Sequence, residues 1–172
     1  FKMKILFVAR RFPPSVGGQQ DVAYNFSMAL SKVSDLSVLK YGGPKKLPVW
    51  SLTNFLFSSS FKSIFKKVDV IHFDDSVMAP MAWTVSKLGT PTSITAHGLD
   101  VTYKNKLYQN LIPKFLKRLP LVLPISPATK EECAKRGVSG NNMTILRKGV
   151  RDKVQNLDTD SYSKSKTQLL AS

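Results

Sequence analysis

His97 stands in Thr95-Ala96-His97-Gly98-Leu99-Asp100, at the predicted end of a strand, next to a glycine and three residues before an aspartate. An imidazole in that place can hydrogen-bond a sugar hydroxyl or a phosphate. A histidine buried on a strand is more often a satisfied core residue, and for His97 both readings stand. Asp100 either orients the imidazole or caps a turn. His97 and Asp100 are the catalytic candidates. Pro13-Pro14-Ser15-Val16-Gly17-Gly18 forms a loop between a predicted strand and a predicted helix. Paired glycines let backbone come close to an anion, and a helix N-terminus offers unpaired N–H groups and partial positive charge. The loop is neither GxGxxG nor GxxxxGKS/T, so the common dinucleotide and P-loop readings fail. It either contacts an anion or sugar, or is a tight turn with no ligand.

Gly17, Gly18, Gln19, Asp74, Gly98, Ser126 and Lys148 complete the substrate-binding candidates. Asp74 and Asp75 end a predicted strand, where they either bind acceptor hydroxyls or lie as solvated loop carboxylates; residue type alone favours solvation. His72 falls mid-strand and reads as structural. Cys133 lies in a predicted helix with no partner histidine and reads as inert packing. Two distant histidines and a few aspartates do not make a metal site, so none is expected. No Ser-His-Asp arrangement or paired-carboxylate motif stands out.

The elements that must position these groups alternate short apolar runs with longer amphipathic ones. That is the pattern of a parallel sheet flanked by helices. Predicted strands are Lys4–Ala9, Leu36–Tyr41, Val68–Phe73, Thr92–Ala96, Leu121–Ile125 and a short last one at Asn142–Leu146. Lys4–Ala9 has the unbroken apolar character of a strand covered on both faces. Helices are predicted at about Gln19 to Val33, Ser51 to Lys67, Val77 to Leu88, Lys104 to Lys117, and from Ser126-Pro127 to Arg136. Gly89 and Pro91 stop the third, and Ser126-Pro127 opens the last as an N-cap with proline in the first turn. The expected fold is therefore a doubly wound, mostly parallel Rossmann-like α/β domain. Its ligands should sit at the carboxyl ends of the strands.

The length of 172 residues suits one domain with a proper core. Residues 3–150 form that domain, and the polar stretch 151–172 is a linker, the start of another domain, or a disordered tail. Met3 followed by Lys4-Ile5-Leu6 reads as a native start, with Phe1 and Lys2 left over in front. The 26 Lys and Arg against 11 Asp and Glu give a net charge of +15, which favours anionic partners without choosing among them. A single cysteine rules out an internal disulfide and fits a reducing compartment. No run approaches membrane-spanning length. The expectation is a cytoplasmic protein, or one peripheral at the inner face of the membrane. The second predicted helix, with Phe57, Phe61 and Phe65 among lysines, admits a lipid-surface reading, although phenylalanines at that spacing are more often core.

In order, Met3-Lys4-Ile5-Leu6, Pro13-Pro14, Gly17-Gly18, Val68-Asp69-Val70-Ile71-His72, Thr95 to Asp100, Ser126 to Glu132 and Gly137 resemble one known family. It is the N-terminal domain of the retaining GT-B glycosyltransferases of the family-4, or group 1, type. The resemblance implies two Rossmann-like halves, an active site in the cleft between them, and an acceptor held mainly by this half. It implies a nucleotide-sugar donor bound mainly by a C-terminal domain that this sequence does not include, and no resident cofactor. By resemblance, Gly17-Gly18 faces donor phosphates or acceptor, and His97 contacts the transferred sugar. Retention would proceed without a protein base, by positioning and by neutralising the departing diphosphate. The sequence departs from the family at Lys148-Gly149-Val150-Arg151, where Asn-Gly-Val-Asp is usual, and it lacks the usual Gly-His-Glu before the second strand.

The leading expectation is thus the acceptor-binding half of a glycosyltransferase acting on a glycan, glycolipid or other glycoconjugate, and inactive alone. The alternative is a non-catalytic module that binds an anionic ligand or membrane surface. Nucleic acid is disfavoured, because no zinc spacing, RNP aromatics or helix-turn-helix accompanies the charge.

Overall fold

The computed structural model describes residues 2–14, 16–40 and 67–147. In chain order these form β1 (Lys4–Ala9), α1 (Gly18–Val33), β2 (Asp35–Lys40), β3 (Val70–Phe73), a 3-10 turn (Ser76–Met78) and α2 (Ala79–Lys87). β4 (Thr92–Ala96), α3 (Gly98–Val101), α4 (Lys106–Leu116), β5 (Leu121–Pro124), α5 (Pro127–Lys135) and a second 3-10 turn (Gly140–Asn142) follow. The strands make one sheet in the order β2-β1-β3-β4-β5, and each neighbouring pair is parallel.

Alternation along β1 sends side chains to both faces of the sheet. Leu6 and Val8 join Ile71, Phe73 and Ile94 in the larger core, closed by Met81, Ala82 and Val85 of α2, Ile112 and Leu116 of α4, and Cys133 of α5. Phe7 and Ala9 enter a smaller core with Phe12, Ala23, Phe26, Leu30 and Leu36, on the side of α1. Helices therefore cover both faces, as a doubly wound fold requires. Phe7 is fully buried, edge-on to Phe26 at 5.8 Å and stacked on His72 at 5.2 Å. Truncating such a ring would cost about 3–5 kcal/mol.

Local chemistry fixes the helix ends. The side chains of Asn105 and Ser126 accept hydrogen bonds from the backbone N–H of Tyr108 and Thr129, capping α4 and α5. Gly89 (φ 91°) and Gly137 (φ 85°) take the left-handed conformation just past α2 and α5, where a side chain would be strained.

Several elements differ from expectation. The strand predicted from Val68 begins at Val70. The helix predicted at 77–88 opens as a 3-10 turn because the Asp75 carboxylate accepts from the Val77 N–H at 2.9 Å. The strand Thr92–Ala96 is as expected, but the chain runs from it into an unexpected four-residue helix, α3. The predicted last strand at Asn142–Leu146 is not a strand. Its only ladder contact among the described residues is a bridge between Met143 and Val122, although Thr144 and Leu146 donate to the carbonyls of Val122 and Pro124. The return bond would have to come from the nitrogen of Pro124, which carries no hydrogen. The helix predicted at 51–67, the break at Gly42-Gly43-Pro44 and the polar tail lie outside the described residues, apart from Lys67.

Candidate functional site

The order β2-β1-β3-β4-β5 reverses direction between β1 and β3, so their carboxyl ends flank a crevice where ligands bind in open α/β sheets. A cleft of about 400 Å³ opens at this end of the sheet. It is lined by Arg11, Val16, Gly17, Gly18, Gln19 and Gln20 from the segment after β1, His97, Gly98 and Leu99 after β4, and Ile125 after β5. Five of the residues singled out from sequence thus meet in one place: Gly17, Gly18, Gln19, His97 and Gly98. Gly17 precedes α1 and Gly18 is its first residue, so the N-terminus of a sixteen-residue helix borders the cleft together with Arg11.

Beneath the cleft lies a polar layer that ties three loops together. Arg10, directly after β1, makes a salt bridge with Asp75 after β3, its Nε donating to Oδ2 at 2.7 Å. His97 Nε2 donates to the backbone carbonyl of Asp74 at 2.9 Å, which fixes the proton on that nitrogen, and the Asp74 carboxyl lies 4.0 Å away. Gln19 joins the two rims of the cleft. Its amide oxygen accepts from Arg11, and its amide nitrogen donates to Asp100 Oδ2 at 3.0 Å.

Burial sets the electrostatics. Asp74 and Asp75 are only 2% and 3% exposed, so the expectation of solvated loop carboxylates is corrected: the chain folds both under the cleft. Desolvation pushes the Asp74 carboxyl up to about 8, helped by the charges of Asp75 and Asp100. Asp74 Oδ1 is buried and has no hydrogen-bond partner among the described residues. Burial and the Asp75 charge raise Asp100 to about 7, against the pull of Gln19, Arg11 and Arg10. Tyr108 presents its buried hydroxyl to the same layer, and burial raises its ionisation well above the ordinary range. At neutral pH this layer holds a neutral carboxyl beside an ion pair.

The other candidates separate. Asp100 sits in the first turn of α3 and takes its hydrogen bond from Gln19, while the Asp74 carbonyl is what orients His97. Ser126 does not line the cleft; its hydroxyl caps α5 and pairs with Thr129 at 2.9 Å. Lys148 lies outside the described residues. His72 is structural as expected: its ring pairs with the hydroxyls of Ser93 and Thr95 at 2.8 and 3.0 Å. Desolvation lowers it to about 3, so it stays neutral. Cys133 is buried, and desolvation raises its thiol to about 11. Among the described residues no group of three His, Cys, Asp or Glu side chains is placed to hold a metal ion. Sequence reasoning missed Arg10, Arg11 and Tyr108. The adjacent arginines closing a buried strand were the available signal for the first two.

A parallel five-stranded sheet covered on both faces, with a glycine-led helix and a histidine at its switch point, defines one half of a GT-B glycosyltransferase fold. Comparison with known families places it more narrowly. The model described as Glycosyltransferase Family 4 matches residues 16–153, and the chain belongs to that family. A comparison with curated proteins finds no match. Among solved structures, the chain is similar to sucrose-phosphate synthase from Thermosynechococcus elongatus, with TM-score 0.70 and 16% identity over 95% of this chain and 52% of that one. Anabaena HepE in complex with UDP-glucose gives TM-score 0.66 and 16% identity, covering 97% of this chain and 50% of that one. The lipopolysaccharide outer core galactosyltransferase WaaB gives 0.57 and 18%, covering 86% and 46%. The chain thus spans about half the length of the structures it resembles.

Proposed function

We propose that this chain is the acceptor-side half of a retaining glycosyltransferase that moves a sugar from a nucleotide-sugar donor to a glycan, glycolipid or other glycoconjugate. The observation that carries the reading is the cleft itself, where Gly17, Gly18, Gln19, His97 and Gly98 converge at the sheet's switch point. Arg11 and the α1 N-terminus supply positive charge where a diphosphate would depart, and His97, held by Asp74, meets the transferred sugar. HepE was crystallised with UDP-glucose, which supports a nucleotide-sugar partner. In this reading the acceptor oxygen attacks the face that the diphosphate leaves and passes its proton to that leaving group. Residues of this half position the acceptor and stabilise charge, and none serves as a base. A second half of the parent protein holds the nucleotide, and no metal or cofactor is assigned to this one. The lone buried thiol fits a cytoplasmic setting. Among the described residues no helix is long and apolar enough to cross a membrane.

The test is sugar transfer by the parent protein from a panel of nucleotide sugars, with His97→Ala and Gly18→Ala beside it. A Cβ at Gly18 would meet nothing within 4 Å, so Gly18→Ala probes the approach of a ligand rather than packing. Each variant is expected to lose on the order of 10²-fold in kcat/KM with its fold intact. Full activity in both would remove the cleft from the reaction. The 172-residue chain alone is expected to transfer no sugar, and transfer by it would overturn the half-enzyme reading.

A further inference from the structure

The outer face of α4 has no role in the cleft and an unusual surface. Ile112 and Leu116 turn into the core, with Tyr108 and Phe115 packed partly against it. Leu107 and Leu111, one turn apart on the opposite side, are 74% and 45% exposed, and Tyr103 just before the helix is 58% exposed. Exposed Lys104, Lys106, Lys114, Lys117 and Arg118 surround this apolar stripe. From Val101 to Lys130 the chain carries six Lys or Arg and not one Asp or Glu. The acids around α4 are Asp75 and Asp100, buried in the polar layer where they face Tyr108, and Glu131 and Glu132 on α5, which pair with Lys135 and Arg136. Among the described residues no acid pairs with Lys104, Lys106, Lys114, Lys117 or Arg118, so the face is both apolar and uncompensated in charge there.

We propose that the outer face of α4, together with Tyr103, docks on an anionic lipid bilayer. Leucines at that spacing would enter the boundary of the acyl region while the lysines meet lipid phosphates, as amphipathic surface helices do. A protein partner of ordinary composition would offer a mixed-charge surface, whereas an anionic bilayer complements an acid-free stripe along its whole length. The proposal does not rest on sugar transfer, since it uses none of the cleft residues. It would, however, hold the cleft beside a lipid-anchored acceptor.

The experiment is sedimentation of the 172-residue chain with vesicles of phosphatidylcholine alone and of phosphatidylcholine mixed with phosphatidylglycerol. Binding is expected only with phosphatidylglycerol present, and it should weaken as salt rises. Leu107→Ser/Leu111→Ser is expected to weaken partitioning about ten-fold or more, and each of Lys106→Gln and Lys114→Gln about five-fold. Their melting temperatures should match the parent chain, because all four side chains are exposed. Lys32→Gln on α1 removes one charge elsewhere and should leave binding within about two-fold, too small a change for a lysine at the surface. The proposal is overturned if phosphatidylglycerol vesicles bring down no protein. It is equally overturned if the leucine variant binds like the parent chain, which would leave bulk charge as the cause. Dimerisation in vesicle-free buffer that the leucine variant abolishes would assign the face to a second copy and also overturn it.

Discussion

Asp74→Asn should flatten the pH dependence of stability, and the structure sets both the sign and the window. Asp74 titrates at about 8 in the folded chain against an ordinary 3.8, so between those values the folded state binds one more proton than the unfolded state. Stability therefore falls as pH rises, by about 1.4 kcal/mol per pH unit, and the fall ends above pH 8. His72 acts in the opposite sense. Its ring, lowered to about 3 from 6.5, is neutral when folded and protonated when unfolded, so it adds stability as pH rises toward 6.5. Below 6.5 the two slopes offset each other. Between pH 6.5 and 8 His72 is silent, and Asp74 governs the slope with Asp100 contributing up to about 7. The loss expected across that interval is about 2 kcal/mol for Asp74 alone. Urea unfolding at closely spaced pH values measures it, since the midpoint tracks stability when the m-value is constant. The parent chain should lose that stability from pH 6.5 to 8, and Asp74→Asn should lose markedly less. Equal slopes in the two proteins would show that Asp74 is ionised in the folded state at neutral pH, and the reasoning about its burial would be wrong.

Arg10→Ala should destabilise the chain by about 3–5 kcal/mol, because it strands the buried Asp75 carboxylate; Arg10→Ala/Asp75→Asn should recover part of that loss in the same urea assay. Ser126→Ala removes the cap of α5 and should cost about 1 kcal/mol, read as a fall of about 2–4 °C in Tm, with no effect on sugar transfer by the parent protein. Cys133 should react with a thiol reagent slowly in the native chain and rapidly in urea, since its thiol is buried and raised to about 11; fast native labelling would contradict the packing of α5.

What could be read from the sequence follows from the range of the interactions involved. Lys4–Ala9 was legible because a strand covered on both faces favours an unbroken apolar run, and the helix stop at Gly89 because its geometry favours glycine. Gly17-Gly18 and His97 were legible because they follow strand ends, and a parallel sheet gathers such ends on one side. Asp74 and Asp75 were not. Isolated aspartates after a strand look solvated, and the arginine that compensates Asp75 lies 65 residues away. The four-residue α3 is too short to show a period, and its anchor, the bond from Gln19 to Asp100, spans 81 residues. The false strand at Asn142–Leu146 has suitable side chains. It fails on the backbone of its neighbour, where Pro124 has no hydrogen to give.

The polar layer under the cleft ties together the loops that line it. Arg10 with Asp75 joins the loops after β1 and β3, His97 with Asp74 joins those after β4 and β3, and Gln19 with Asp100 joins α1 to α3. Each of these links could be replaced by apolar packing at little cost or even a gain in stability. The layer instead keeps a carboxyl titrating near 8 and two buried oxygens without partners among the described residues, Asp74 Oδ1 and the Tyr108 hydroxyl. Buried polar groups also occur away from the layer: His72 pairs with Ser93 and Thr95, and Thr92 Oγ1 at the amino end of β4 has no partner among the described residues. What distinguishes the layer is that its hydrogen bonds join the loops carrying the glycine pair and His97 across the carboxyl ends of the strands. Loops joined only by apolar contacts could slide against one another with little change in energy, whereas directional hydrogen bonds allow one arrangement.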